Sequence, residues 1–277
     1  MPPLVIVDGH NLLFRAAFGF PTPIKSRSGQ DRTATFGFFA IARKAAMGIG
    51  EAEWVVFFDG AQGTATRLAE DATYKAQRVL KDPTIFDAMP DIKAGLDLLQ
   101  IRWLELPTTE ADDLISTLVG VEAEQGRQIY IMSMDKDFYQ LVNPTTVILN
   151  TARKREQWII SHEDILAQYG VLPAQWCDFR ALTGDPSDNI QGITGIGPRT
   201  AARLLADGMM LEELVDSGRL SGTIEKKVIA GWEKVLQNRH LLRMRLITDA
   251  QLANLTTGKI TNWLPAQTIL SQLNLWE

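Results

Sequence analysis

Cysteine is almost absent from this chain of 277 residues, which has the single thiol of Cys177. One cysteine excludes an internal disulfide framework and is typical of a reducing cytoplasm, where we expect the protein to act. No apolar run reaches the ~20 residues that span a bilayer. The N-terminus has neither a basic flank nor a small-residue cleavage site. We therefore expect no membrane segment and no signal peptide.

Histidine is scarce as well, and the three histidines, His10, His162 and His240, lie in unrelated segments. This scarcity gives little support to a zinc site or to a histidine general base. The sequence has no nucleophile-elbow serine motif and no Walker-type phosphate loop. Those absences argue against a serine hydrolase of that kind and against a P-loop nucleotide enzyme.

Positive charge is not in excess either, because the formal net charge is −5 with 22% charged and 45% hydrophobic residues. This composition is that of a globular protein with a sizeable core, arranged as one large domain or as a domain with a smaller partner. The net charge argues against coating nucleic acid by bulk attraction but allows local binding. Acids gathered in one metal site would leave the remaining surface more basic than the sum suggests.

Three short apolar segments each end in an aspartate. Residues 4–8 and 54–59 are apolar runs that end in Asp8 and Asp59, and residues 128–135 end in Asp135. Helical patterns alternate with these runs, which predicts a doubly wound α/β fold with a mostly parallel sheet. Sites in such sheets lie outside the carboxyl ends of the strands, so the three aspartates should meet at one edge.

A further acidic segment follows Thr109, at the predicted start of a helix. Thr109 can cap this helix, whose positive end favours acids in the first turn. Glu110 and Asp113 are three residues apart and share a face, whereas Asp112 points further round. The alternative is an ordinary capped helix start followed by buried apolar residues.

Carboxylate oxygens are the ligands that hard divalent cations such as Mg²⁺ and Mn²⁺ prefer. The acidic segments supply more carboxylates than one ion needs. Two ions ~3.5–4 Å apart can activate a water and stabilise the departing oxygen when a phosphodiester is cleaved. The acids therefore indicate a metal-dependent phosphodiesterase.

Basic residues between 64 and 81 form a helical stripe with one aromatic. Arg67, Tyr74, Arg78 and Lys81 are spaced by seven, four and three residues, and Lys75 is adjacent. Such a stripe can grip phosphates and stack on a base; the alternative is a solvated helix face. For the loop 21–34 and for the basic tip of a predicted hairpin over 146–160, two alternatives also stay open: contact with the DNA backbone, or a solvated surface segment.

From about residue 161 the pattern is helical to the end. A glycine-rich turn, Gly-Ile-Thr-Gly-Ile-Gly from Gly192, leads into a helix with Pro198 at its first position. Close backbone approach and a helix N-terminus favour phosphate binding. Together with Arg199 and Arg203, the turn predicts a hairpin that binds the DNA backbone.

Seven segments in this order resemble the 5′-nuclease family, which includes flap endonucleases and the N-terminal 5′→3′ exonuclease domain of bacterial DNA polymerase I. They are VDGHNLLFRA, VVFFDG, TYKAQR, TEADDL, MDKDFYQL, TGDPSDNI and GITGIGPRTA. The resemblance runs from about residue 4 to about residue 245. It implies a PIN-like nuclease core over 1–172 with a helical gateway at about 64–100. It also implies a helical DNA-binding region over 173–277 with a helix–three-turn–helix at about 175–206.

The resemblance also implies site residues. The implied metal ligands are Asp8, Asp59, Glu110, Asp112, Asp113, Asp135, Asp137, Asp185 and Asp188. The implied catalytic residues are Lys75, Arg78, Arg15 and Asp135. The implied DNA-binding residues are Arg67, Tyr74, Lys75, Arg78, Gly192, Gly195, Gly197, Arg199 and Arg203.

By this resemblance the protein is a structure-selective 5′-nuclease that cuts DNA with 5′ flaps or 5′ ends, in replication and repair. Its cofactors would be two or more Mg²⁺ or Mn²⁺ ions, with K⁺ at the helix–three-turn–helix. Its partner would be branched, nicked or 5′-ended duplex DNA, with DNA polymerase I a candidate protein partner. A monomer at the bacterial nucleoid is expected. The alternatives are a non-catalytic DNA-junction binder and a metal nuclease that acts on RNA.

Overall fold

A six-stranded sheet forms the centre of the computed structural model, which describes residues 1–78, 82–248, 251–252 and 255–277. The strands are β1 (Leu4–Asp8), β2 (Glu53–Phe58), β3 (Arg102–Glu105), β4 (Ile129–Met132), β5 (Thr146–Leu149) and β6 (Ile159–Ile160). Their order is β3-β2-β1-β4-β5-β6, and only the pairing of β5 with β6 is antiparallel. The predicted mostly parallel sheet is thus confirmed.

Helices cover both faces of the sheet, which explains why β1 and β2 are buried throughout and mostly apolar. One face packs on α1 (Gly9–Phe18), α2 (Thr33–Ile49) and α4 (Met89–Leu98). The other face packs on α5 (Ala111–Glu124) and on the helical region that follows the sheet. Successive residues of β1 alternate between the two cores. None of the helices in the described ranges is long and apolar enough to cross a bilayer.

The helical region begins next to residue 161, as the helical pattern in the sequence predicts. Its helices are α6 (His162–Tyr169), α7 (Trp176–Thr183), α8 (Pro198–Leu204), α9 (Leu211–Leu214), α10 (Gly222–Ala230) and α11 (Trp232–Leu242). Ser161 caps α6 in a capping box with Asp164. A short ribbon of β7 (Gly184–Asp185) and β8 (Ile190–Gln191) lies between α7 and α8. This ribbon brings the TGDPSDNI segment back toward the sheet.

The last residues depart from the predicted domain division. Residues from Thr257 onward leave the helical region and return to the α2 face of the sheet, whereas Leu255 still belongs to the core of the other face. Trp263 lies edge-on to Trp54, with ring centroids 5.0 Å apart, and α12 (Ala266–Gln272) packs against α2. The assignment of the whole of 173–277 to a helical DNA-binding region is therefore wrong for this final segment, because its apolar side chains belong to the core of the sheet.

The gateway segment is also not one helix. The helix α3 ends after Ala65–Glu70, and turns follow over residues 72–77. The Asp71 side chain accepts a hydrogen bond from Thr73 N at 2.9 Å, and Lys75 has a φ of 52° that an α-helix cannot contain. The predicted stripe is therefore broken, and Lys81 lies outside the described residues. A 3-10 helix (Pro83–Ala88) and α4 complete the segment.

Candidate active site

Hydrogen bonds join the acids at the carboxyl edge of the sheet. Asp8 caps α1 by accepting from Asn11 N at 3.0 Å, and its second oxygen accepts from the Ser133 hydroxyl at 2.9 Å. This contact ties the end of β1 to the turn after β4. One oxygen of Asp59 accepts from Ala111 N at 2.7 Å, which ties the end of β2 to the start of α5. These contacts bring the ends of β1 and β2, the turn after β4 and the start of α5 together at one place.

Electrostatics show that these acids form one cluster. Burial, with repulsion from Asp59 and Asp135, raises the pKa of Asp8 to about 7. Burial also raises the pKa of Asp112 well above its ordinary value, and Asp135, Asp8 and Asp59 add to it against the attraction of Lys75. Asp112 directly follows Ala111, whose N–H donates to Asp59, so the geometry also places Asp112 next to the end of β2. The cluster carries negative charge that cations would relieve.

A second set of acids shares Asp135 with the first. Burial, followed by repulsion from Asp135, Asp188 and Asp185, raises the pKa of Asp137 well above its ordinary value. Asp185 accepts from Ser187 N at 2.8 Å and pairs with Arg180. A cavity of about 410 Å³ opens between the turn after β4 and the 185–187 segment. Asp135 therefore stands between two groups of carboxylates.

Lys75 and Arg78 lie beside the acids, at the edge of the cluster. The Lys75 ammonium is 2.5 Å from Glu110 Oε1, and an Arg78 guanidinium nitrogen is 2.6 Å from Asp188 Oδ1. Both residues belong to the 72–78 turn segment. Lys75 N donates to the Asp188 carbonyl at 3.0 Å, so this segment is docked on the acidic loop.

Four residues of this region are placed differently in the structure from what the sequence predicted. Asp113 is turned away from the cluster, since both of its oxygens accept from the Arg67 guanidinium at 2.8 and 3.0 Å. Arg67 is 4% exposed and so cannot reach DNA. Tyr74 is also 4% exposed, with the Lys75 ammonium 4.8 Å from its ring centroid, and cannot stack on a base in this arrangement. Thr109 does not cap α5 either, because Glu110 is the capping position.

Arg15 lies at the same edge of the sheet but outside the acid cluster. Its guanidinium donates to the hydroxyl of Thr151 at 2.5 Å and to the carbonyl of that residue at 2.6 Å. Thr151 follows β5, so Arg15 fastens α1 to the hairpin between β5 and β6. A catalytic role for Arg15 stays a prediction.

The glycine turn lies between α7 and α8, at the position predicted for a helix–three-turn–helix. A Cβ on Gly192 would meet the Thr183 carbonyl carbon at 2.3 Å, so only glycine fits there. Gly195 has a φ of 83°, in the left-handed region, and Gly197 precedes the first turn of α8. Arg199 and Arg203 are exposed on α8. The turn lines an open concave surface of about 630 Å³.

Several contributors to the site gave little signal in the sequence. His10 Nδ1 accepts from Asp59 N at 2.9 Å and so fixes the end of β2. Gln77 donates to the carbonyls of Pro186 and Ser187 at 2.9 and 3.0 Å, which docks the gateway turn on the acidic loop. Ser133 and Arg180 support Asp8 and Asp185 as described above. For His10, Ser133 and Arg180 the signal in the sequence was proximity to an acidic motif, and for Gln77 it was proximity to Lys75 and Arg78.

The donor chemistry fits hard divalent ions. Within the described ranges, no three histidine, cysteine or carboxylate side chains are arranged as a closed ligand set for one ion. Mg²⁺ is usually held by one or two carboxylates and retains several waters. The partly buried, mutually repelling carboxylates around Asp135 match that mode of binding. Lysine and arginine side chains now neutralise the carboxylates at the rim, Glu110, Asp185 and Asp188.

Comparison with known proteins identifies the family. A model described as the 5′-3′ exonuclease N-terminal resolvase-like domain matches residues 3–170. The chain belongs to the 5′-3′ exonuclease family. A second model, the 5′-3′ exonuclease C-terminal SAM fold, matches residues 171–263. The resemblance found in the motifs is thereby confirmed. The members of this family are metal-dependent nucleases that act on DNA phosphodiester bonds.

Relatives of this 5′-3′ exonuclease family member include much longer proteins. Thermostable DNA polymerase I of Thermus thermophilus is 35% identical over 250 residues, covering 90% of this chain and 29% of the polymerase. DNA polymerase I of Mycobacterium tuberculosis is 34% identical over 256 residues, covering 91% of this chain and 28% of the polymerase. The chain thus spans less than a third of the length of these relatives.

Solved structures share the fold of this family member. A bacteriophage T5 5′-exonuclease with bound zinc has a TM-score of 0.71 at 21% identity, covering 87% of this chain and 89% of the phage protein. Flap endonuclease-1 of Methanococcus jannaschii has a TM-score of 0.58 at 18% identity, covering 98% and 86%. The predicted α/β core with a helical C-terminal region is confirmed by these likenesses.

Proposed function

We propose that this protein is a structure-selective 5′-nuclease that hydrolyses phosphodiester bonds in DNA with 5′ flaps or 5′ ends. The observation that carries the proposal is the convergence of Asp8, Asp59, Asp112 and Asp135 at the carboxyl edge of the sheet, where Asp8 and the Asp135 N–H share the Ser133 hydroxyl and Asp59 is held by Ala111 N. Lys75 and Arg78 lie at its rim, as a phosphate-cleaving site requires. In a protein that only bound DNA, carboxylates facing phosphates would weaken the binding.

The acids hold Mg²⁺ or Mn²⁺, two or more per site, in this proposal. When bound, the ions would supply activation of the attacking water and stabilisation of the leaving oxygen. The acids of the first set and the acids of the second set share Asp135, which suits two neighbouring ion positions. Lys75 and Arg78 add fixed positive charge where the reacting phosphate gains negative charge. Asp135 is proposed to be essential because it belongs to both sets of acids.

The helical region holds the duplex. The exposed glycine turn with Arg199 and Arg203 provides backbone N–H groups, carbonyls and two cations on one surface. Backbone carbonyls of this turn are proposed to hold K⁺ against a phosphate. Branched, nicked or 5′-ended duplex DNA is the proposed partner, with the protein acting as a monomer at the bacterial nucleoid. Since the relatives are DNA polymerase I, a role in replication and repair and an association with that polymerase belong to the same proposal.

Cleavage of a labelled 5′-flap duplex with Mg²⁺ tests the proposal. The wild type should cut, and Asp135→Asn should lose cleavage while it retains flap binding measured in Ca²⁺. Glu124→Gln is the matched control, because Glu124 is exposed at the carboxyl end of α5, the end away from the acid cluster. Equal cleavage rates for wild type and Asp135→Asn would contradict the assigned site.

A panel of substrates separates the alternatives. Tight flap binding without cleavage across Mg²⁺, Mn²⁺ and Co²⁺ would favour a non-catalytic junction binder. Faster cleavage of single-stranded RNA than of flap DNA would favour a metal nuclease that acts on RNA. We expect neither result, because both the acidic cluster and the exposed glycine turn are present in this chain.

A further inference from the structure

Arg67 is a buried link between three parts of the fold. It lies on α3, and only 5% of its side chain is exposed. Its Nε donates to the Leu241 carbonyl at 3.1 Å, and one terminal nitrogen lies 3.4 Å from the Arg243 carbonyl. The guanidinium therefore satisfies carbonyls at the end of α11, where that helix has no internal partners for them. The gateway segment is joined here to the helical region.

The same guanidinium fixes the start of α5. Its two terminal nitrogens donate to the two oxygens of Asp113 at 2.8 and 3.0 Å, in a bidentate fork. Asp113 Oδ1 also accepts from Arg245 N at 2.8 Å. One of the terminal nitrogens also contacts Glu110 Oε2. Arg67 thus binds both buried carboxylates of the first turn.

Glu110 is the residue whose orientation depends on this contact. It is the capping position of α5, with φ −73° and ψ 146°, and its side chain makes no capping hydrogen bond. The helix therefore does not hold the carboxylate in place. Arg67 contacts Oε2 from the protein interior, and Lys75 contacts Oε1 at 2.5 Å from the side of the site. One oxygen is held in the interior while the other faces the acid cluster.

We propose that Arg67 is a positioning residue for the metal-binding carboxylates and does not contact DNA. It holds Glu110 with one oxygen directed to the cluster and connects that carboxylate to residues 241–245 of the helical region. This inference deepens the proposed function and rests on it for the identity of the ions. A rearrangement of 241–245 when duplex binds would reach Glu110 through this one side chain.

Metal binding without DNA tests the inference directly. Titration of Mn²⁺ into the protein by calorimetry gives an affinity that requires no catalysis. Arg67→Gln should weaken Mn²⁺ binding by about tenfold to a hundredfold, the usual effect of losing a residue that orients a ligand. Arg67→Lys should lose less, because it retains the charge but not the fork. The affinity for flap DNA in Ca²⁺, and its salt dependence, should be unchanged in both.

Arg127→Gln is the matched control. Arg127 is as deeply buried, with 1% of its side chain exposed, and pairs with Glu53 and Glu122 at the amino ends of the strands. Its loss should lower the unfolding temperature without changing Mn²⁺ affinity. Equal losses of Mn²⁺ affinity in Arg67→Gln and Arg127→Gln would overturn the inference, because general instability would then explain both.

The remaining outcomes separate the inference from the proposed function. Wild-type Mn²⁺ affinity in Arg67→Gln, with weaker and less salt-dependent DNA binding, would return Arg67 to the DNA contacts and overturn the inference alone. A wild type that binds no Mn²⁺ would overturn the proposed function and the inference with it. If Arg67→Gln does not fold, Arg67→Lys and Asp113→Asn replace it, and undiminished Mn²⁺ affinity in both would overturn the inference.

Discussion

Replacing Lys75 with alanine should separate catalysis from binding and from folding. The Lys75 ammonium is 2.5 Å from Glu110 Oε1, and Glu110 keeps a second cationic partner in Arg67 when Lys75 is removed. Glu110 is then not left buried without a partner, so the loss of unfolding free energy should be about 1.5–3 kcal/mol, as for a hydrogen bond to a charged group. Folded protein should therefore be available for kinetic measurement.

The catalytic effect of this change should be much larger. A preorganised charge at a developing oxyanion contributes about 10²–10³ in rate, or roughly 3–4 kcal/mol. We expect the single-turnover rate on a 5′-flap duplex with Mg²⁺ to fall by about that factor. The dissociation constant for the same DNA in Ca²⁺ should change by about threefold or less, because one phosphate contact among several is lost.

Lys93→Ala is a matched control for this experiment. Lys93 also pairs with a glutamate, Glu105, and its ammonium lies 4.7 Å from the Trp103 ring centroid, as that of Lys75 lies 4.8 Å from Tyr74. The control should lose similar stability and keep the cleavage rate. The reasoning is refuted if Lys75→Ala weakens binding while its single-turnover rate is unchanged, or if Lys93→Ala slows cleavage equally.

Three further predictions concern the helical region. Arg199→Ala should weaken duplex binding and lower its salt slope by about 1 with little effect on the single-turnover rate, measured by fluorescence anisotropy at several salt concentrations. Asn238→Ala should cost about 1–3 kcal/mol in urea unfolding, because the fully buried Asn238 amide donates to the carbonyls of Ala181 and Gln191 at 3.1 and 2.8 Å; an unchanged midpoint would contradict this. Burial raises the pKa of Cys177 to about 12, so its thiol stays protonated at pH 8 and should react with a thiol reagent only after unfolding; rapid modification of the native protein would show otherwise.

The convergence of Asp8, Asp59 and Asp135 could be predicted from sequence, because it depends on a general property of parallel sheets. Asp8 and Asp59 follow continuous apolar runs and Asp135 follows a mostly apolar one, and strands buried on both faces produce such runs. Once the strands are parallel, their carboxyl ends share one edge. No long-range contact had to be known in advance.

Arg67 and Tyr74 were misplaced because periodicity gives the face of a helix only while the helix lasts. The Asp71 side chain and the positive φ of Lys75 end the helical conformation, and the residues beyond Glu70 change direction. The inward turn of Arg67 depends on Asp113 and on the carbonyls of residues 241 and 243, far away in sequence. A local pattern does not contain that information.

The return of the chain to the sheet after the helical region has a practical consequence for dissecting the protein. Trp263 and α12 cover Trp54 and Phe39, and the Thr257 N–H donates to the buried Glu53. A fragment of residues 1–172 would lack the apolar side chains that cover this face. It would also lack the N–H donor that Thr257 provides to Glu53. Such a fragment should aggregate and be poorly soluble. A split design that supplies residues 255–277 as a separate peptide would restore the covering side chains and the donor to Glu53.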